Sequence, residues 1–368
     1  MDGKYIKIVH VVGARPNYMK VAPILTAMAR SPEEFEQVLV HTGQHYDFHM
    51  SEIFFEDLGL RNPDHYPGVE TGTHAEQTAR VMLAMEPVLE NVQPDLGLVV
   101  GDVNSTLASA LVCSKLGLTV GHVETGLRSY DRDMPEEVKR VLTDQLSEVL
   151  FTPSRDADDN LIREGISPER IHFVGNVMID SLIRFLPHAA ERASRKELGL
   201  QDRDYALVTL HRPSNVDSEV LEQLLQSLRL ISRQLAVVFA VHPRTMARIK
   251  EFGFEQLLEG EQEIILSEPL GYLDFLSLMV NARIVLTDSG GIQEETTYLG
   301  IPCLTARPNT EKPVTLELGT NRLVPSLSGE ILAAVEDILN KTDSTHTIPE
   351  LWDGQTADRI DQVIRETY

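Results

Sequence analysis

Three acidic side chains fall where proton transfer could be done. VVGDVNSTLA (99–108) and GHVETGLRSYDRDMPEEVKR (121–140) put Asp102 and Glu124 directly after apolar runs of strand length, and Glu136 behind Pro135, where a helix would begin. Carboxylates aimed into one space repel, so some must be protonated or paired. Such a separation of pKa values is what acid and base work requires. Each also has a plainer reading, because Asp102 could cap a helix and Glu136 with Glu137 would favour a helix N-terminus.

A second group is built for an anion. LTDSGGIQEETTYLG (286–300) reads as a strand ending at Asp288, a turn through Ser289-Gly290-Gly291, and a helix. Amide N–H groups and the positive end of the helix dipole then point at whatever sits above the turn, typically phosphate. Of the two acids behind it, Glu294 reads as a first-turn residue favouring the dipole. Glu295 reads as an acceptor-only group suited to the vicinal diol of a ribose. A nucleoside diphosphate satisfies both features. VTLHRPSNVD (208–217) delivers His211 and Arg212 off a strand, VHPRT (241–245) delivers His242, and Phe275 in EPLGYLDF is placed to flank a base. The first strand leads into GARPNYMK, which is neither a dinucleotide-binding G-x-G-x-x-G turn nor a P-loop. Arg15 and Lys20 there offer a donor fork and a point charge for phosphate, and no cofactor is expected.

Elements that must hold these residues alternate along the chain. Apolar strand-length runs at 5–12, 36–41, 95–100, 118–123, 148–153 and 170–174, then at 205–210, 235–241, 263–267, 283–288 and 301–305, are separated by amphipathic helix-length segments. That is the pattern of parallel βαβ units. The fold class expected is α/β, with two doubly wound, Rossmann-like domains facing a cleft. The expected first domain is 1–175, with a helix at 355–368 packing back onto it, and the second is 176–354. Ligands bind outside the carboxyl ends of such strands, and every unusual polar cluster here lies at one.

Composition narrows the partners. A formal charge of −23 on 368 residues argues against nucleic acid and anionic membranes, which demand a basic face. An acidic ligand must be held by local cations, and Arg15 with Lys20, His211 with Arg212, His242 with Arg244 and Arg307 with Lys312 supply them. No stretch approaches the roughly 20 apolar residues of a membrane span, and the N-terminal run reads as a strand, not a signal peptide. Cys113 and Cys303 lack metal-ligand spacing and read as buried small hydrophobes, fitting a reducing cytoplasm. Asp131-Arg132-Asp133 is a weak match to a metal-binding acidic pair and has no supporting ligands, so no metal is expected. A homodimer is the default assembly.

GARPNYMKVAPI, TGQHYD, GDVNSTLA, HVETGLRS with MPEE, GNVMID, HRPSN, LTDSGGIQEE and TEKPVTLELGTN occur in that order between residues 13 and 321. In this the chain resembles the bacterial UDP-N-acetylglucosamine 2-epimerase family of the non-hydrolysing type, whose architecture is GT-B-like. The resemblance implies interconversion of UDP-N-acetylglucosamine and UDP-N-acetylmannosamine through elimination and re-addition of UDP, without a redox cofactor. It implies Asp102, Glu124 and Glu136 as proton-handling carboxylates, with His211, Arg15 and Lys20 around diphosphate and sugar. Ser289, Gly290, Gly291 and Glu295 would hold phosphate and ribose, and Phe275 with the Leu270 backbone would lie by the uracil. Two departures stand out. Lys312 occupies a position commonly Arg in the family pattern, replacing a fork with a point charge, and Tyr46-Asp47-Phe48 replaces the residues of members with an activating second site. Alternatives are action on UDP-2,3-diacetamido-glucuronate, a hydrolysing 2-epimerase, and a GT-B glycosyltransferase.

Overall fold

The computed structural model describes residues 5–43, 59, 61–69, 72–258, 263–325, 328–341 and 346–368. The chain separates into two units, Met1–Ser181 with Glu350–Tyr368, and Leu182–Pro349. The division falls inside the helix Val177–Ala190, not ahead of it at 175/176 where the sequence pattern breaks.

The first unit is one parallel sheet in the order β2-β1-β3-β4-β5-β6. Its strands are β1 (Ile6–Val12), β2 (Phe35–His41), β3 (Leu96–Val100), β4 (Thr119–Val123), β5 (Val149–Thr152) and β6 (Ile171–Phe173). Helices cover the faces, so a central strand such as LGLVV is buried at every position and reads as a continuous apolar run. The order reverses between β1 and β3, which is the crevice where doubly wound sheets bind ligands. The segment 350–368 is tied to this unit from both ends of its helix approach. Trp352 donates its indole N–H to the Pro153 carbonyl at 3.0 Å, and Asp180 accepts the amides of Thr356 and Ala357 at 3.2 and 2.7 Å. Burial nonetheless pushes the Asp180 carboxyl up to about 6, against those two bonds.

The second unit is a parallel sheet in the order β12-β11-β10-β7-β8-β9. It comprises β7 (Tyr205–Thr209), β8 (Ala236–Ala240), β9 (Ile264–Ser267), β10 (Ile284–Thr287), β11 (Cys303–Ala306) and β12 (Asn321–Val324). Its switch point lies between β7 and β10, the strands that end in HRPSN and DSGG. Strand β12 escapes the sequence pattern because NRLV has two polar residues and an uneven burial. Parallel pairing with β11, from Cys303 opposite Asn321 to Ala306 opposite Val324, defines it instead, and Thr305 Oγ1 adds a bond to Asn321 Oδ1 at 2.6 Å.

One core residue makes stability depend on pH. His10 sits fully buried in the middle of β1, where burial and then the Arg61 charge lower its pKa to about 3. Below pH 6.5 the unfolded chain binds a proton that the folded chain refuses until near pH 3, so stability falls as pH drops through that window. His10→Leu is expected to remove about 2–3 kcal/mol of the stability loss between pH 6.5 and 4.5. Urea titrations at the two pH values measure it, and equal losses in both proteins would refute it.

Candidate active site

In the first unit two of the expected carboxylates are neighbours by strand register. Val100 and Val123 pair across β3 and β4, and the Gly101 amide donates to the Val123 carbonyl at 3.1 Å. Asp102 and Glu124 therefore leave adjacent strands at the same level. Gly101 has a left-handed φ of 66°, and a Cβ there would lie 2.9 Å from Lys20 Nζ and 3.6 Å from Glu124 Oε2. The missing side chain makes room for the buried Lys20–Glu124 ion pair. Glu124 itself holds φ at 69°, a conformation costly for a non-glycine residue and concentrated at functional sites. Its amide bond to the Phe151 carbonyl, 3.1 Å, and the Lys20 pair hold it there. Lys20, expected at the diphosphate, pairs with Glu124 in this structure from its place on the helix Arg15–Met28. Arg15 is the first residue of that helix, and its side chain lies outside the described residues, as do Gln44 to Phe48.

The neighbouring acids divide their work unexpectedly. Asp102 Oδ2 receives Nε and Nη2 of Arg140 at 2.9 and 2.8 Å, and Nη1 of the same guanidinium reaches Glu137 Oε2 at 2.7 Å. Glu137 is buried and also accepts the amides of Ser129 and Tyr130 and the Ser129 hydroxyl, each at 2.9 Å. Glu136 keeps 37% of its side chain exposed, 3.6 Å from Lys139. Thus Glu137 organises the loop and Glu136 is left open on the same first turn. Beneath lies a network that sequence reading missed: His122 Nδ1 is 2.8 Å from Asp144 Oδ1 and Nε2 is 2.8 Å from the Gly101 carbonyl oxygen.

In the second unit the helix Gly290–Leu299 begins at Ser289 without a side-chain cap, and Ser289, Gly290 and Gly291 are partly exposed. The amides of its first turn have no intrahelical acceptor. Gly290 does not adopt a left-handed backbone. Its requirement is closeness, since a Cβ would stand 2.6 Å from Glu311 Oε1, whose Oε2 takes Arg307 Nη2 at 2.7 Å. Glu294 is corrected: it is the helix's fifth residue, buried and paired with Lys312, and does not serve the dipole. Lys312 accordingly meets a protein carboxylate in this structure. Gln293 ties the loop ahead of Lys312 to the helix, accepting Thr310 Oγ1 at 2.7 Å and Asn321 Nδ2 at 3.0 Å.

Glu295 is buried, with Oε1 accepting the Tyr272 hydroxyl at 2.8 Å. Tyr272 opens the helix Tyr272–Val280, so Phe275, three residues on, shares its face. Leu270 lies two residues ahead of that helix, before its N-cap Gly271, and is partly buried. His211 Nδ1 lies 3.0 Å from Asp288 Oδ1, and its ring stands 5.8 Å from that of His242. His242 is a helix cap, accepting the Arg244 amide on Nδ1 at 3.2 Å.

Burial pushes Glu295 up to about 7, against the Tyr272 hydrogen bond. From about pH 4.5 to 7 the unfolded chain ionises here and the folded chain does not, so the stability of the protonated state is lost as pH rises. Glu295→Gln is expected to gain about 2–3 kcal/mol at pH 8 relative to pH 4. At pH 8 it should also weaken UDP binding about 10–100-fold, the worth of a hydrogen bond to a charged acceptor. Thermal unfolding and calorimetry read the two effects, and a variant with the parent's pH profile would contradict the assignment.

Among the described residues no group of His, Cys, Asp and Glu could hold a metal ion, and Asp131 accepts the Asp133 amide in a turn at 3.1 Å. No described helix is long and apolar enough to cross a membrane. Both cysteines are buried and unpaired.

A family model described as UDP-N-acetylglucosamine 2-epimerase matches residues 27–365. The UDP-N-acetylglucosamine 2-epimerase of Methanocaldococcus jannaschii is 41% identical over 368 residues, spanning 98% of this chain and 99% of its own length. The UDP-2,3-diacetamido-2,3-dideoxy-D-glucuronate 2-epimerase of Pseudomonas aeruginosa is 41% identical over 342 residues, 92% of this chain and 93% of its own. The crystal structure of the M. jannaschii protein, in complex with UDP-N-acetylglucosamine and UDP, matches with a TM-score of 0.91 at 41% identity, covering 98% of this chain and 100% of that one. The fold is the two-domain, GT-B-like one expected. An archaeal and a bacterial relative stand at equal identity, so the restriction to bacteria is dropped. With a family model over residues 27–365 and a 41% identical relative spanning 98% of the chain, the chain belongs to the UDP-N-acetylglucosamine 2-epimerase family.

Proposed function

We propose that this protein is an isomerase that inverts carbon 2 of a UDP-N-acetylhexosamine, interconverting UDP-N-acetylglucosamine and UDP-N-acetylmannosamine. The observation carrying the chemistry is the pair Asp102 and Glu124, leaving adjacent strands at one level, each against a cation. In the forward step a carboxylate takes the carbon 2 proton, that C–H pair becomes the C1=C2 bond, and the C1–O pair departs with UDP. On return a carboxylic acid delivers a proton to the opposite face of carbon 2, and the UDP oxygen re-forms the bond to carbon 1. Two faces need two proton-handling groups, with Glu136 the third in reach of the same loop. UDP is held in this reading by the turn Ser289-Gly290-Gly291, whose Ser289 amide is itself taken by Thr287 Oγ1 at 3.0 Å, by His211, Arg15, Lys20 and Lys312 around the diphosphate, by Glu295 on the ribose, and by Phe275 and Leu270 at the uracil.

Incubation with UDP-N-acetylglucosamine in heavy water, followed by proton NMR, tests the reaction. Deuterium at carbon 2 of both UDP-sugars is expected. Free N-acetylmannosamine as the main product would mean a hydrolase, and no exchange without an acceptor would point to a glycosyltransferase. A second reading, UDP-2,3-diacetamido-glucuronate as substrate, is favoured by the P. aeruginosa relative; faster turnover of that sugar in the same assay would establish it.

We further infer a cytoplasmic homodimer. The unpaired thiols suit a reducing compartment. Leu83 and Leu142, exposed at 73% and 46% on two helices of the first unit, offer apolar surface to a second copy. Light scattering that reads a single chain's mass would overturn the dimer.

A further inference from the structure

We propose that Asp288 is a positioning residue for the reaction: it fixes the direction of the His211 ring, leaving Nε2 as the nitrogen that meets the diphosphate. The inference rests on the reading above that His211 serves the departing UDP.

Asp288 follows β10 and reaches across the switch point to the exit of β7, its register neighbour at Thr287 and Thr209. Its carboxylate is fully buried and collects donors from one loop. The amides of His211 and Arg212 reach Oδ2 at 3.0 and 2.9 Å, and Asn215 Nδ2 reaches it at 3.0 Å. Oδ1 takes His211 Nδ1 at 3.0 Å, with the His211 amide also on it at 3.2 Å. Burial alone would raise the carboxyl, but the His211 bond and the Arg212 and Asn215 donors outweigh it and hold Asp288 below the usual range. An ionised carboxylate only accepts, so Nδ1 must carry the hydrogen. The ring is 41% exposed although Nδ1 is tied inward, so the exposure falls on the Nε2 side. The Asp288 carbonyl also accepts Arg212 Nε at 3.0 Å, and Ser289 of the phosphate turn is the next residue. One side chain and its own backbone thereby register His211, Arg212 and the turn against one another.

Asp288→Asn, His211→Gln and the double variant test this with kcat/KM and UDP calorimetry. Each single change is expected to lower kcat/KM about 10²-fold, with the double no worse than the weaker single, because Asp288 acts through His211. Additive losses would overturn the proposal and leave Asp288 a loop staple. If His211→Gln is fully active, the functional reading of His211 fails. The positioning is then decided by NMR of the labelled parent protein, where an exchange-protected Nδ1 proton that disappears in His211→Gln is expected. Absence of that resonance overturns the proposal even if Asp288→Asn does not fold.

Discussion

Replacing Glu124 with Gln is expected to lower the epimerisation rate about 10³-fold while UDP affinity stays within about twofold, the range set by removing a positioned acid or base. Gln fills the same space and meets the same backbone demand at φ 69°, so the change removes a proton carrier without rebuilding the loop. It also strips the buried Lys20 of its counter-charge, which leaves an ammonium uncompensated and costs stability on the order of 3–5 kcal/mol. The double variant Glu124→Gln, Lys20→Met separates the two effects: stability should return and turnover should not. Deuterium wash-in at carbon 2 is the decisive measurement. A Glu124→Gln protein that exchanges this proton at the parent rate would end the assignment, whatever its stability.

What was legible in the sequence was whatever is local. Strands buried on both faces announce themselves as apolar runs, and the ends of those runs carry Asp102, Glu124, His211 and Ser289. The helix Pro135–Leu146 shows why other parts were hidden. It buries Glu137, Lys139, Arg140, Thr143 and Asp144 and leaves Leu142 46% exposed. With a polar inner face, no apolar stripe sets the helix phase, so nothing in PEEVKR says which glutamate turns inward. Arg140 meets Asp102 across 38 residues, and His211 meets Asp288 across 77. Such pairings follow from strand order, not from spacing along the chain. The assignment of Glu294 to the dipole failed for a related reason, since it depended on where the helix begins to within one residue.

The polar inner face is where an equally large loss of stability is expected. Arg128 lies fully buried with Nε and Nη2 on both oxygens of Glu164 at 2.7 and 2.6 Å, and Nη2 is 2.7 Å from Asp144 Oδ2. Asp144 has no exposed surface and takes His122 Nδ1 at 2.8 Å and the Gly126 amide at 3.1 Å. His122 in turn faces the Gly101 carbonyl with Nε2, so both ring nitrogens meet acceptors and both must carry hydrogen. Burial alone would raise the Asp144 carboxyl, but His122 and Arg128 outweigh it and hold it low. Its contribution is therefore present above about pH 4 and is lost as pH falls through the lowered value. Arg128→Leu leaves two acids facing each other across an apolar side chain, and a loss of about 3–5 kcal/mol is expected. Arg128→Lys keeps the charge but not the fork and should lose less. Because the chain Arg128–Asp144–His122 ends on the carbonyl of Gly101, turnover should fall in Arg128→Leu even at temperatures where it remains folded, through misplacement of Asp102 and Glu124. Urea unfolding within 1 kcal/mol of the parent, or full activity in the folded variant, would show that the carboxylates are held by Lys20 and Arg140 alone.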